Sequence, residues 1–355
     1  MSPPPGAPRF VTMRDVASLA GVGVKTVSRA LNGEPNVSPA TAERVNRAAA
    51  ALNYEINVYA GGLRRSGSRT KTLGLLLESV DNPFSGAVHR GVETIMRLHG
   101  IAVLAASYEE DPDSERGIVT GFLQRRVDGL ILMSASRTHG YLSDEVSRGT
   151  PIVFVDRPAV GIAFDSVVSS NYEGAVGATR HLLERGHRRL AYVGSDPRIA
   201  TLGERRRGFA DELDRWRVPA RQATYIEDLH DPESARIAVR KLLEGPEAPT
   251  AIFAAQNLVA LGSVRALHEC GKQQKIAFVG FDDVTLLDLL NPGVTVVAQN
   301  PHRLGELAAE RVLARMNGEV LEMETITVPT TLIERGSGEI PALTPAVLTP
   351  DVRRS

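Results

Sequence analysis

Seven short apolar runs, separated by longer stretches with helical periodicity, constrain the fold of this chain more than any other feature. They are LGLLLES, IAVLAAS, DGLILMS, TPIVFVD, RRLAYVGS, PTAIFAA and KIAFVGF. Runs of this length that are apolar throughout are typical of strands in parallel sheets covered by helices on both faces. We therefore expect an α/β body that begins near residue 72 and contains two such sheets, one in each half.

Length and composition exclude several classes of protein. A chain of 355 residues is long enough for two or three domains with buried cores. A single cysteine excludes an intramolecular disulfide and a Cys-rich metal cluster, and it fits a reducing compartment. The first ten residues do not resemble a signal peptide, and no run approaches the 18 apolar residues of a membrane span. We expect a cytoplasmic protein with no membrane partner.

Charge is distributed unevenly along the chain. Residues 9–71 contain ten Lys and Arg against four Asp and Glu, which gives a formal charge of +6. Since the whole chain has a net charge of −1, the remaining residues together carry −7. A small basic head on an acidic body is typical of proteins that bind nucleic acid through the head.

The head has the start and stop signals of three short helices. Thr12 is a suitable N-cap for the first helix, residues 21–23 form a tight turn, and the second helix runs from 24 to about 31. Ser38, followed by proline, begins the third. Helix, three-residue turn and helix form the unit that places its second helix in a DNA major groove. The alternative is an ordinary three-helix subdomain with a solvated basic face.

The second helix has two chemically different faces when projected at 100° per residue. The packing face holds Val27, Ala30 and Leu31; the outward face holds Val24, Lys25, Ser28 and Arg29, with Thr26 at the border. Arg and Lys can donate to guanine, Ser can contact bases or phosphate, and Val can contact a thymine methyl group. The outward face is therefore suited to base edges.

Five motifs in the head carry a resemblance to a known family. DVA, AGV, TVSRALN, VSPATAERV and LNY stand in that order and closely resemble the N-terminal domain of the lactose-repressor family of bacterial transcription regulators. The resemblance implies an all-α helix-turn-helix DNA-binding domain over 11–56, in which Val24 and Lys25 are the principal base readers and Arg29 is the third. The other DNA-contact residues that we predict are Thr12, Thr26, Ser28, Asn32 and Leu63.

Residues 57–71 resemble the hinge helix and linker of the same family. There, the resemblance implies, a segment folds on DNA and a leucine wedges into the minor groove; Leu63 matches that position. Gly61 and Gly62 each cost a helix roughly 0.8–1 kcal/mol, so we expect a hinge that is disordered without DNA. A plain flexible linker that makes no DNA contact is the alternative.

Polar side chains follow several of the predicted strands. In open α/β sheets ligands bind beyond the carboxyl ends of the strands, so these residues predict a pocket. Groups that both donate and accept, with an aromatic ring nearby, suit a polyhydroxylated ligand such as a sugar, although Asp and Asn also cap helices and turns. The candidates that follow strands are Asp81, Asn82, Pro83, Phe84, Asp156, Arg157, Gln256, Asn257, Asp282 and Asp283.

The resemblance continues through the body to about residue 336. DNPF, VDRP, GHRRLAYVG, ERRRGF, VGFDD and VAQNPHRLGELA are similar to the effector-binding core of the family, which has the periplasmic-binding-protein fold of two Rossmann-like subdomains. It implies effector contacts by Phe84, Arg157, Asn171, Arg205, Asp282 and Gln299. Asp156, Gln256, Asn257 and Phe281 complete the effector-binding residues that we predict.

The resulting domain plan has five parts. Residues 1–10 and 337–355 are expected to be disordered tails around the head, the hinge and a body over 72–336. In the body, one subdomain covers about 72–167 and 300–328, and the other covers about 168–299 and 329–336.

The sequence contains no GxxxxGK[ST], HExxH or GxSxG motif, and its eight histidines lack metal-ligand spacing. We expect neither an enzyme nor a metal or cofactor site. The sequence predicts a ligand-responsive regulator, most simply a repressor, that binds a pseudo-palindromic operator in double-stranded DNA as a homodimer. Its effector would be a sugar or a sugar derivative. The alternative is a sugar-binding receptor of the periplasmic type without DNA function.

Overall fold

A computed structural model describes residues 11–31, 34–54, 69–109, 111–136 and 138–342. The chain divides into two compact units, Met1–Thr70 and Lys71–Ser355, called here the head and the body. Asn32, Leu63 and most of the predicted hinge lie outside the described residues.

The head contains the three helices that the sequence predicts: α1 (Met13–Ala20), α2 (Val24–Leu31) and α3 (Pro39–Ala51). Val16, Val27 and Val45, one from each helix, are fully buried against one another in a small apolar core. This core is held by few side chains, so capping adds to it: the Asp15 carboxylate accepts from the backbone N–H and the hydroxyl of Thr12 at 2.7 and 2.6 Å.

The body contains two six-stranded sheets, each flanked by helices. The first sheet has the order β11-β5-β4-β3-β1-β2 and is parallel throughout; the second has the order β12-β10-β9-β8-β6-β7 and is parallel except for β12. The strands are β1 (Thr72–Leu77), β2 (Ala102–Ser107), β3 (Gly129–Leu132), β4 (Ile152–Val155), β5 (Asp165–Ser169), β6 (Leu190–Val193), β7 (Ala223–Ile226), β8 (Ala251–Ala254), β9 (Ala277–Phe281), β10 (Thr295–Ala298), β11 (Thr325–Val328) and β12 (Thr331–Ile333).

Eight helices of four residues or more accompany these strands in the described part of the body. They are α4 (Pro83–Leu98), α5 (Pro112–Gln124), α6 (Ser143–Ser147), α7 (Asn171–Glu184), α8 (Ala200–Arg215), α9 (Pro232–Glu244), α10 (Asn257–Glu269) and α11 (Pro301–Met316). Within the described residues, every helix is too short or too polar to cross a lipid bilayer.

All seven apolar runs form strands, and the other five strands give no such signal in the sequence. Three of those five, β7, β11 and β12, lie at sheet edges and are only partly buried, so their sequences lack a continuous apolar run. Strand β5 is buried, but it begins with a charged residue, Asp165, whose carboxylate accepts from Arg311 and Arg315. Short or polar strands of this kind are recognised only by their pairing.

The chain crosses between the two halves of the body three times: after β5, after β10 and after β11. Two of these crossings are joined, because the backbone N–H of Thr330 donates to Ser170 Oγ at 2.8 Å. The crossings place the carboxyl ends of the two parallel sheets on either side of one cleft.

The expected start of the C-terminal tail at residue 337 is wrong for residues 337–342, which pack on the second half. Ser337 Oγ accepts from the backbone N–H of Thr295 at 2.9 Å and donates to the Phe278 carbonyl at 2.6 Å. The His187 ring bonds to the Ile340 carbonyl at 2.8 Å. This docking left no sign in the sequence, because it depends on long-range bonds from Ser337 and Ile340 to residues of the second half.

Helices α4 and α11 approach so closely that glycine is required on both sides. A Cβ on Gly91 would lie 2.1 Å from the His302 carbonyl oxygen, and a Cβ on Gly305 would lie 2.1 Å from that of Val88. Neither oxygen can move without moving a helix, because both belong to the backbone.

We expect Gly305→Ala to lower the free energy of unfolding of the body by about 1–3 kcal/mol through overpacking, measured by urea denaturation. Gly86→Ala is the matched control. Gly86 is an exposed residue of α4, and a Cβ there would have no described heavy atom within 4 Å. Gly86→Ala should raise the free energy of unfolding by up to about 1 kcal/mol, because alanine has a higher helix propensity than glycine. Equal effects of the two substitutions would contradict the close crossing.

Candidate functional site

The outward face of α2 is presented to solvent as the sequence predicts. Val27 is fully buried beneath the helix, whereas the Val24 side chain is 41% exposed and Lys25 is exposed. An exposed apolar side chain beside a lysine is suited to the major groove of DNA, where bases present both methyl groups and hydrogen-bond acceptors. Val24 and Lys25 therefore remain the principal candidates for reading bases.

Four more of the predicted DNA-contact residues lie in the described part of the head. Arg29 is partly buried and its Nε lies 3.6 Å from the Glu34 carboxylate, an ion pair that orients the guanidinium on the helix. Thr12 is exposed at the start of α1, and Thr26 and Ser28 are partly buried on α2. Exposed ion pairs contribute little to stability, so a guanine acceptor can compete with Glu34 for Arg29.

Strand ends from both halves of the body meet in one polar cleft. Residues that follow β1 and β4 face residues that follow β8, β9 and β10, together with the first half of α8. The residues that line the cleft are Glu78, Asn82, Phe84, Asp156, Arg157, Thr201, Leu202, Arg205, Gln256, Asn257, Asp282 and Gln299.

Eight of the ten predicted effector residues line this cleft, and the remaining two lie directly beneath it. Asn171 begins α7, and its Oδ1 accepts from Arg205 Nε at 2.8 Å. Phe281 is the last residue of β9, and the Arg205 guanidinium lies 3.7 Å from the centre of its ring. The structure thus brings all ten side chains together, eight at the surface of the cleft and two as support for Arg205.

Arg205 is the central charge of the cleft and is 4% exposed. Besides its contacts with Asn171 and Phe281, it donates from Nη1 to the Ala255 carbonyl at 2.8 Å. Asp156 and Asp282 flank it electrostatically. Burial raises the pKa of both carboxyls; the charges of Arg157 and then Arg205 oppose that rise at Asp156, and the Arg205 charge opposes it at Asp282. Since a buried carboxylate is costly unless a cation is near, Arg205 makes two such groups tolerable.

Arg157 forms a second charged group on the opposite wall. Its Nη1 donates to the Tyr108 hydroxyl at 2.9 Å, and its guanidinium lies 3.4 Å from Glu78 and 3.6 Å from Asp156. These contacts hold the guanidinium flat against the first half of the body.

A direct hydrogen bond joins the two halves across the cleft. Asn257 Nδ2 donates to Asn82 Oδ1 at 2.7 Å, and both side chains are at least nine-tenths buried. Asn82 Oδ1 also accepts from the Phe84 backbone N–H and so caps α4. We call the Asn82–Asn257 pair the latch.

Two acceptors that line the cleft have no hydrogen-bond partner among the described residues. They are Gln256 Oε1 and Gln299 Oε1, both buried. The Gln299 amide nitrogen, by contrast, donates to Asp282 at 2.6 Å. Buried acceptors without a partner are costly, so the cleft is suited to a molecule that donates hydrogen bonds.

Sequence reasoning named Asn82 as a strand-end residue, and Asn82 lines the cleft, but it missed three other lining residues. Glu78 follows β1, so the strand-end rule could have found it, and Thr201 lies one turn before Arg205 on the same face of α8. Leu202 gave no signal. Asp283 also follows β9, but it turns away to make a bidentate ion pair with Arg335 at 2.7 Å.

One group of side chains in the described part of the chain has the spacing of metal ligands: His181, Glu334 and Glu339. His181 Nε2 and Glu339 Oε1 lie 2.7 Å apart. The Arg185 guanidinium lies 3.3 Å from Glu334 and 3.7 Å from Glu339, so a cation is already present. We interpret the group as an ion-pair cluster that ties the C-terminal segment to α7.

Comparisons with known proteins agree with the division of the chain into a head and a body. Residues 12–57 match the family described as "Bacterial regulatory proteins, lacI family", and residues 179–338 match "Periplasmic binding protein-like domain". The chain is 32% identical to the HTH-type transcriptional repressor PurR of Erwinia tasmaniensis, covering 92% of this chain and 97% of that one. It is 29% identical to catabolite control protein A of Priestia megaterium, over 90% and 96%.

Two solved structures are similar over nearly the whole chain. The lac repressor dimer bound to operator and the anti-inducer ONPF is 26% identical, with a TM-score of 0.81, covering 93% of this chain and 99% of that one. The complex of the transcriptional regulator CelR with cellobiose is 29% identical, with a TM-score of 0.67, covering 92% and 100%. These proteins share both the head and the two-halved body.

We expect Arg205→Met to lower the free energy of unfolding at neutral pH by about 3–5 kcal/mol, since it leaves the buried Asp282 without its cation and Asp156 with Arg157 alone. The folded-state pKa values of Asp156 and Asp282 lie above their unfolded values and rise further in the variant. Stability from such groups is present below the unfolded pKa and is lost as pH rises through the folded pKa. The loss should therefore be smallest near pH 4 and largest at neutral pH, as measured by urea denaturation.

Arg207→Met is the control for this pH dependence. The Arg207 side chain is 59% exposed and its ion pair with Glu204 spans 4.0 Å, so the substitution should cost less than about 1 kcal/mol. If the loss of unfolding free energy in Arg205→Met does not change with pH, then Arg205 does not stabilise the body by compensating these carboxylates.

Proposed function

Since the chain belongs to the lacI family of bacterial regulatory proteins, we propose that it is a ligand-responsive repressor that binds a specific DNA operator. The observation that carries this proposal is the outward face of α2, where Val24 and Lys25 are exposed above a fully packed helical core. A helix with this face is suited to major-groove base edges. We place its action in the bacterial cytoplasm, where operator DNA is found.

We infer that the active unit is a homodimer. One helix-turn-helix reads a short half-site, so two heads related by a two-fold axis match a pseudo-palindromic operator. The similar lac repressor structure is a dimer on its operator. Exposed leucines at positions 98, 286 and 289 of the body supply apolar surface that a partner could cover.

We propose that the cleft of the body holds the effector, and that this effector is a sugar or a sugar derivative. Acceptors without partners at Gln256 and Gln299 favour a ligand rich in hydroxyl donors. The similar structure of the transcriptional regulator CelR is that of its complex with cellobiose.

Ligand and DNA would be coupled through the state of the cleft. A ligand that binds one arrangement of the two halves better than the other shifts the population toward it. If the arrangements differ in DNA affinity, about 1.4 kcal/mol of coupling changes operator affinity tenfold. This role requires neither catalysis nor a cofactor.

We expect Arg29→Ala to relax sequence preference by about 1–3 kcal/mol at one base position in each half-site. Selection from a randomised duplex library at fixed salt, followed by sequencing, measures this preference. Arg44→Ala is the control: Arg44 is an exposed cation of α3, and it should weaken binding to all sequences alike or leave binding unchanged. If neither the parent protein nor the variants enrich any sequence, the DNA-binding function is wrong.

A further inference from the structure

A second cavity lies beside the cleft and shares Asp156 and Thr201 with it. Its volume is about 380 Å³, whereas the space left within the cleft is about 30 Å³, room for about two water molecules. Only the larger cavity falls within the range of roughly 300–1,000 Å³ that is typical of ligand pockets. We call it the side cavity.

The walls of the side cavity come from both halves of the body. The end of β5, the first turn of α7, the first half of α8 and strand β11 all contribute. Its lining residues include Ser169, Tyr172, Glu173, Glu204, Arg207 and Thr327.

Ser169 gives the side cavity a polar group that needs a partner. This residue is 2% exposed, it lines the cavity, and its Oγ has no hydrogen-bond partner among the described residues. A buried hydroxyl without a partner is costly, and a ligand with a hydroxyl or amine group would satisfy it.

The charges that line the side cavity are mainly negative. Asp156, Glu173 and Glu204 supply three carboxylates against one cation, Arg207. The Arg207 guanidinium lies 4.8 Å from the centre of the Tyr172 ring and 4.0 Å from Glu204, with its side chain 59% exposed. Burial raises the pKa of Glu204; Arg207 opposes that rise and Glu173 adds to it. Glu173 and Glu204 are thus only partly compensated, whereas Arg157 and Arg205 also compensate Asp156.

These carboxylates do not form a metal cage. Among the described residues, the group with three ligand atoms within 4.8 Å of one another is the one around His181, and no residue of the side cavity belongs to it. Separated carboxylates beside a hydroxyl suit an organic cation that carries several donors.

We propose that the side cavity binds the protonated amine of a polyhydroxylated ligand, such as an amino sugar, whose hydroxyls reach the cleft through Asp156 and Thr201. This assignment rests on the proposed function, because it takes the ligand to be the effector. The ammonium group lies between Glu173 and Glu204, and Ser169 bonds to a neighbouring hydroxyl.

The test uses matched pairs of probes that differ by one amine: D-glucosamine with D-glucose, and D-galactosamine with D-galactose. Isothermal titration calorimetry with the full-length protein at pH 6.5 gives each dissociation constant. We expect at least one amino sugar to bind about tenfold or more tightly than its neutral partner. No preference for the amine in either pair would overturn the proposal.

Three substitutions locate the preference. Glu204→Gln and Glu173→Gln keep the size and polarity of the side chain, and they should each reduce the preference for the amine several-fold without weakening the neutral sugar. Glu247→Gln is the control, because this exposed carboxylate does not line the cavity. A preference that survives both cavity substitutions would place the amine elsewhere and overturn the proposal; thermal unfolding verifies that each variant is folded.

Operator binding separates this proposal from the proposed function. An amino sugar that binds in the side cavity without changing operator affinity supports the site and contradicts its role as the effector site. A neutral sugar that changes operator affinity while no amine is preferred supports the regulator and contradicts the side-cavity assignment.

Discussion

Arg205 and the two carboxyl groups beside it set the conditions under which the body can close. Asp156 comes from the first half, whereas Arg205 and Asp282 come from the second. Burying three charges is expensive, and the attraction between Asp156 and Arg205 helps to repay that cost only when the halves are held together. An open cleft would return these groups to water. The switch that we propose requires closed and open arrangements that differ by a small free energy.

A ligand in the side cavity would affect the charge compensation around Asp156. The side cavity shares Asp156 with the cleft, so a cation bound there would contact the same carboxyl that closure buries. Such a ligand would add to the compensation that Arg157 and Arg205 give to Asp156. The chemistry of the ligand and the equilibrium between the two arrangements are thus linked through one side chain.

Much of the architecture could be predicted from local sequence patterns, because buried parallel strands and helix caps leave local signals. The seven apolar runs are strands, and Thr12 and Ser38 begin helices as N-caps. Strand-end reasoning found Asp156, Arg157, Gln256, Asn257 and Asp282, because parallel strands bring their carboxyl ends to one edge.

What could not be predicted depends on long-range contacts. Asp283 follows the same strand as Asp282, yet its partner is Arg335, 52 residues away. Thr201 enters the cleft only because α8 crosses it, and the segment after 336 is ordered by bonds to Phe278 and Thr295. The roles of Asn171 and Phe281 as supports of Arg205 likewise require the folded packing.

The central claim is that the state of the cleft controls operator affinity, and the latch tests it without knowledge of the effector. Asn82→Ser keeps an N-cap for α4 but is too short to reach Asn257, so it removes one hydrogen bond between the halves. Asp111→Ser, an N-cap exchange at α5, is the control. With a selected operator at fixed salt, Asn82→Ser should change the dissociation constant by about two- to tenfold, as expected from about 0.5–1.5 kcal/mol, and the control should not change it. Equal operator affinity in all three proteins, with the body folded, would contradict the coupling of cleft and DNA.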